Sequence, residues 1–238
     1  MSNAAMYGLM DYYKFDVRLT EKDVSSTGWN CLSRTTSTYS SSLVNEILQE
    51  AHRLARAEAV CRAVPVVKTT GREIFLEGGQ ALTSSLLVRL AGTARSLLLV
   101  VCTLGHMIDR RVEEYNRKGL AAHAYFLDIA GTCLIEAAGR QLVEKIKTQL
   151  EACGFKSTIP LGPGHSYWKS LQDQRIIYDL VNPAKIGVTI LKSGIMLPKK
   201  SVSMVMGIGR ELPPSAENHC YYCSIRRKCP LSRARDPL

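Results

Sequence analysis

The sequence predicts an α+β fold, and three observations carry that expectation. Residues 121–151 hold Ala130, Leu134, Ala138, Leu142, Ile146 and Leu150 at steps of four, the period of one helical face. Ser96 to Cys102 is a continuous apolar run of strand length, and Val202, Met204, Met206 and Ile208 alternate with their neighbours, as a strand requires. These helical and extended patterns follow one another without the regular strand–helix–strand alternation of a parallel sheet.

The elements are justified in chain order as follows. Residues 1–40 are polar, and Val24 to Ser42 is rich in Ser and Thr, which reads as an arm and loop. Leu43, Ile47, Ala51, Leu54 and Ala55 recur at helical spacing behind capping serines, predicting a helix over 42–62, with Glu58 interrupting the stripe. Pro65 ends any helix. Val66 to Lys68 and Glu73 to Leu76 read as strands of a hairpin around Thr69, Thr70 and Gly71. A second helix is expected from Leu82 to about Leu90. After the buried strand 96–102, Thr103 is placed to cap a helix carrying Ile108, Val112 and Tyr115. The long helix 121–151 carries Glu136, Arg140, Glu144, Lys147 and Glu151 on a second face, and Gly154 marks its end. Trp168 to Leu180 reads as a helix stopped by Asn182 and Pro183, and Ile186, Val188 and Ile190 as a strand. There is no internal repeat. The organisation is an arm (1–40), a body (41–210) and a basic, Cys-rich tail (211–238).

A chain of 238 residues with 46% hydrophobic and 22% charged residues can bury a sizeable core and is not composed like a disordered protein. Its longest apolar run is far shorter than the ~20 residues that span a bilayer, and its start has no signal-peptide pattern, so no membrane association is expected. The net charge of +10 suits an anionic partner, and part of it lies in the tail at Arg226, Arg227, Lys228, Arg233 and Arg235. No nucleic-acid-binding module is recognisable, so nucleic acid is not expected as a partner. Eight cysteines without a secretory pattern point to a reducing compartment, hence the cytoplasm, with thiols or metal ligands rather than disulfides.

No G-x-S-x-G, phosphate loop or H-E-x-x-H occurs, and His106 and His123 stand alone in the sequence. Asp128 and Glu136 are offset by about 80° around the long helix. A buried carboxylate there would accept hydrogen bonds from a cationic or amine-bearing ligand, whereas an ion pair with Arg140 is the structural use of Glu136. In the tail, Cys220 and Cys223 are separated by two residues and Cys229 follows six later. That supplies three thiolates of the four that structural zinc or an iron–sulfur cluster takes, with His219 or another cysteine as a fourth. A tail of reduced thiols is the alternative.

The last third holds an ordered series. Residues 161–168 read LGPGHSYW, with Pro163 and Gly164 turning into His165 and Trp168. Ile186, Gly187 and Val188 follow. Then residues 193–203, SGIMLPKKSVS, match S-x-x-M-x-P-x-x-S-V-S at every fixed position, through Ser193, Met196, Pro198, Ser201, Val202 and Ser203. Together with Asp128, Gly131 and Glu136 on the long helix, the series resembles the activation (reactivation) domain of cobalamin-dependent methionine synthase over about residues 80–209. The resemblance implies a curved single domain with a twisted antiparallel sheet and flanking helices. It implies S-adenosylmethionine as ligand, with Glu136, Gly162, Pro163, Gly164, His165 and Ser201 at the ligand. His165 stands where the family has tyrosine, and Pro160 where it has an arginine that meets the ligand carboxylate. It further implies an accessory component of a cobalamin-dependent methyltransferase system, a free-standing protein that assists reductive remethylation of a corrinoid (cobalamin) on a partner protein, with flavodoxin or another reductant supplying electrons. Two other functions remain open: an iron–sulfur electron-transfer module built on the tail cysteines, and a ligand-binding protein of the same fold without a corrinoid partner.

Overall fold

Strand β5, Ser96–Thr103, lies at the centre of the structure, and every one of its eight residues is buried. The computed structural model describes residues 12–17, 19, 41–229 and 232–234. On one side β5 pairs antiparallel with β2, Ala57–Thr69, from Glu58 opposite Thr103 to Pro65 opposite Ser96. On the other it pairs antiparallel with β9, Ser201–Gly209, from Ser96 opposite Ile208 to Thr103 opposite Ser201. Beyond β2 come β3, Glu73–Leu76, and β4, Ala81–Thr83; beyond β9 comes the two-residue β6, Lys156–Ser157. A further strand, β1 (Tyr12–Phe15), also pairs with β2, along Ala57 to Val60. A bulge between Val66 and Lys68 bends the far end of β2 towards β3, and the antiparallel sheet curls.

Between Ser96 and Thr103 strand β5 is apolar, because helices cover both faces of this antiparallel sheet. Its side chains alternate: Leu98, Val100 and Cys102 enter one core, and Leu97, Leu99 and Val101 enter the other. The first core is closed by three helices, α1 (Ser41–Leu54), α3 (Met107–Arg117) and α4 (Ala121–Ala152), through Ile47, Ile108, Phe126, Leu134 and Leu142. The second is closed by α2 (Ser85–Ala91) and α5 (Gln172–Val181), with Leu87, Ile177 and the fully buried Trp168. The predicted α+β class and the curved antiparallel sheet with flanking helices hold.

Several expected elements have other boundaries. The helix expected over 42–62 stops at Leu54, because from Glu58 the chain pairs with β5. Alanine-rich 57–63 has helical propensity, but the sheet buries Ala59 and Cys61 on one face and Val60 and Val64 on the other, and this overrides it. Leu82 belongs to β4; α2 starts behind Ser84, whose hydroxyl accepts from the Leu87 amide at 3.3 Å. Thr103 caps the Gly105 amide, 3.1 Å, rather than the helix itself. The helix expected from Trp168 begins only at Gln172. The strand expected over 186–191 is reduced to β7, Thr189–Ile190, paired with β8, Met196–Leu197, because left-handed Asn182 and Gly187 bracket a 3-10 turn over Pro183–Ile186. Within the arm, Tyr12–Phe15 is a strand that the sequence pattern did not suggest; 20–40 lies outside the described residues.

Strand β9 runs close beneath α2. A Cβ added at Gly207 would lie 2.6 Å from the Ala91 Cβ and 3.1 Å from the Ala94 Cβ. Gly207→Ala is therefore expected to destabilise the fold by about 1–3 kcal/mol, the cost of overpacking. Gly71→Ala, where a Cβ meets open space, should change stability by no more than about 0.5 kcal/mol. Equilibrium unfolding in urea measures both.

Candidate functional site

After β6 the chain does not leave the sheet at once. The Thr158 amide donates to the Gly207 carbonyl at 2.9 Å, and the Gly207 amide donates back to the Thr158 hydroxyl at 2.9 Å. Leu161 then exchanges both backbone bonds with Val205, at 3.0 and 2.7 Å. So 158–161 closes the edge of β9 and brings Gly162 directly over it. A Cβ on Gly162 would sit 2.8 Å from the Ser203 carbonyl oxygen, so glycine there is required by the backbone beneath it.

The turn that follows is held from three directions. Gly164, with φ of 89°, donates to the Trp168 carbonyl at 2.8 Å. The buried Trp168 indole donates to the Asp173 carboxylate at 2.8 Å, and the same oxygen accepts the Thr83 amide at 2.9 Å, tying the turn to β4. The Ser203 hydroxyl of β9 donates to Gln174 of α5 at 2.9 Å. The rings of His165 and Tyr167 therefore stack in fixed position, centroids 5.1 Å apart and 6° from parallel.

Between this turn, α4 and β9 lies a cavity of about 760 Å³. Glu136, Gly139, Arg140 and Val143 of α4 form one wall, and Val202 and Met204 of β9 the floor; Pro160, Gly162, His165 and Tyr167 form the second wall. The tail supplies the third, through Asn218, His219, Cys220, Cys223, Ile225, Cys229 and Arg233. The tail is docked rather than loose. The Ser166 hydroxyl donates to the Cys223 sulfur at 3.4 Å and accepts the Ser224 amide at 2.8 Å, and Arg89 lies over the Tyr222 ring at 5.0 Å. The His219 ring reaches within 5.0 Å of the His165 ring, centroid to centroid.

Of the residues expected at a ligand, Glu136, Gly162 and His165 line this cavity, whereas Pro163, Gly164 and Ser201 are outside its lining. The Ser201 hydroxyl donates to the Pro198 carbonyl at 2.7 Å and lies 2.8 Å from the Thr103 hydroxyl, so it shapes the approach to β9. Asp128 is half-exposed and pairs with the buried Lys200 ammonium at 2.8 Å, which also reaches the Thr132 hydroxyl at 3.0 Å. His106 precedes α3 without a capping bond, and His123 packs against Tyr115. Cys220, Cys223 and Cys229 line the one cavity, yet among the described residues no group of three or more His, Cys, Asp or Glu side chains is arranged to hold a metal ion. The donor set thus gives no support to the expected zinc or iron–sulfur site. The lining also includes Tyr167, a ring of the quoted turn that was not assigned to a ligand, and Arg233, which the sequence offered only as part of the tail charge.

The electrostatics of the cavity favour neutral rings and thiols. Burial lowers the His165 pKa, and His219 lowers it further while Glu136 opposes. Burial likewise lowers that of His219, with Arg233 adding to it. Burial raises the Cys220 thiol and the Tyr167 phenol. Burial therefore favours uncharged imidazoles at His165 and His219 and a protonated Cys220 thiol, in a wall that also holds the Glu136, Arg140 and Arg233 side chains.

The chain matches no protein-family model and no curated protein. Among solved structures it is similar to the reactivation domain of MetH, solved bound to AdoHcy, with a TM-score of 0.61 and 14% identity over 95% of this chain and 88% of that one. The likeness is one of fold. Among the described residues no helix is long and apolar enough to cross a membrane.

Both lowered imidazoles bind fewer protons when folded than at their ordinary value of about 6.5. Their contribution to stability is therefore complete above that value and lost as pH falls through it towards the lowered folded values. The thermal midpoint should drop between about pH 7.5 and about pH 5.5. His219→Gln, which cannot take up the proton, should show a smaller drop; equal drops in both proteins would refute the assignment.

Proposed function

We propose that this protein binds S-adenosylmethionine in the cavity between α4, β9 and the Gly162 turn, and that it serves a separate corrinoid-carrying protein as a free-standing activation module. The observation that carries this reading is the coincidence of a cavity of about 760 Å³, well within the range of small-ligand sites, with a fold that it shares with a reactivation domain solved with AdoHcy. The wall chemistry is consistent with such a ligand. Glu136 offers a carboxylate to a sulfonium or ammonium group, Arg140 and Arg233 offer guanidinium groups to a carboxylate, and the stacked His165 and Tyr167 rings suit a flat heteroaromatic.

S-adenosylmethionine, when bound, supplies an activated methyl group; this chain holds its ends and excludes water. Burial keeps the Cys220 thiol protonated, and a protonated thiol is a poor nucleophile. The methyl acceptor in this reading is the cobalt of the partner. The module acts by preferring the partner conformation in which cobalt can be reduced and methylated, because only differential affinity for two states can shift them. No electron-transfer role for the tail cysteines is included, since their donor set does not fit a cluster.

Calorimetric titration of the full chain with S-adenosylmethionine tests the ligand, and repetition with a cobalamin-loaded protein tests the partner. Saturable heat is expected in the first, and a complex whose affinity changes with the cobalt oxidation state in the second. Glu136→Gln should weaken the ligand about tenfold or more, the scale of a lost hydrogen bond to a charged group. Absence of heat with the wild-type chain overturns the ligand, and absence of any complex overturns the activation role.

A further inference from the structure

Two hydroxyl groups in the cavity wall donate to no protein acceptor among the described residues, although the Tyr167 oxygen faces the Gly162 backbone amide. Tyr167 and Ser232 both line it, both have their side-chain oxygen buried from solvent, and among the described residues neither hydroxyl proton has an acceptor. They come from opposite sides: Tyr167 from the turn tied to β4, Ser232 from the tail. Leaving a buried hydroxyl unbonded is unfavourable, and native structures rarely do so without a reason. One such group could be an accident of packing. Two that meet in one small-ligand-sized cavity, beside stacked rings, share a simpler cause.

We infer that the tail, through residues 217–229 with Ser232 and Arg233, is a strap that completes the ligand site in cis, and that the Tyr167 and Ser232 hydroxyls are ligand-binding donors that clasp an acceptor-rich ligand. The inference rests on the proposed ligand and deepens it. It adds residues that neither the turn motif nor the cysteine spacing pointed to, and gives the tail a binding role in place of a metal-holding one. The acceptors they address are those of a nucleoside: ring nitrogens, ribose oxygens and a terminal carboxylate. The strap is fixed to the rest of the site through Ser166, which bonds Cys223 and Ser224. It is further held by Tyr222, whose hydroxyl accepts the Ala216 amide at 2.9 Å and whose ring packs into the second core.

The test exploits the sign of an unmet hydroxyl. Deleting a buried donor with no partner does not cost the free protein a bond, whereas it costs the complex one. Ser232→Ala should therefore leave the unliganded thermal midpoint unchanged or raised, and Tyr167→Phe, which also takes an oxygen from the Gly162 amide, should lower it by no more than one neutral hydrogen bond costs. Each should weaken S-adenosylmethionine about three- to tenfold in calorimetric titration. Ser157→Ala is the control: its buried hydroxyl also lacks a partner but is outside the cavity lining, so its affinity should match the wild type. Wild-type binding with unaltered affinity in both variants overturns the clasp and leaves the proposed ligand standing. A loss of affinity in Ser232→Ala accompanied by a lowered unliganded midpoint means that this hydroxyl is structural, and also overturns it. No heat with the wild-type chain overturns the ligand and the clasp together.

Discussion

The closure of the β9 edge by residues 158–161 is the constraint on which the cavity depends. An unpaired edge leaves amides and carbonyls without partners, and this chain satisfies them with a stretch too irregular to be a full strand. Thr158 supplies its hydroxyl where the ladder lacks a donor–acceptor match, and Leu161 restores the pairing opposite Val205. Because that stretch is pinned, Gly162 has one possible height above Ser203. The direction of the following turn, and so the placement of His165 and Tyr167, then follows from these backbone bonds together with the buried Trp168 side chain. Rigid walls of this kind let a site hold its shape before a ligand arrives.

The same strand pays a second role. One set of its alternating side chains, Met204, Met206 and Ile208, faces α4 and the first core, while Val205 faces the second. The cavity floor is thus continuous with the core, through Val202 and Met204. Helix α4 is close to its floor at Gly139, where a Cβ would lie 3.7 Å from the Met204 sulfur. A change in the floor is in consequence transmitted to the packing of α4.

How much of this was legible in the sequence differs by scale. The core strands β5 and β9 and helix α4 were readable because burial imposes its period directly on residue type. The start of β2 was not, because Ala57, Ala59 and Ala63 suit a helix, and only the pairing of Glu58, Ala59 and Ala63 with Thr103, Cys102 and Leu98, some forty residues away, makes them a strand. The serine and proline motif of 193–203 led to the right fold, yet its serines mostly serve structure: Ser201 bonds Pro198 and Ser203 bonds Gln174. Motif identity reported the shape of the neighbourhood rather than its contacts. The tail's place in the cavity wall was invisible, since Cys220 and Cys223 have a metal-like spacing and nothing local shows that Ser166 docks them.

Ser166 is one oxygen atom with two obligations. It gives its proton to Cys223 of the tail and takes one from the Ser224 amide, while its own backbone lies between His165 and Tyr167. The recognition turn and the tail are therefore not two walls that happen to meet but a single mechanical joint. Reciprocity follows from thermodynamics alone: whatever factor tail docking contributes to the affinity of a molecule held by the turn, that molecule returns to the docking of the tail. In the proposed reading, occupancy of the cavity is therefore linked to the docking of a tail whose Tyr221 and Ile225 are exposed.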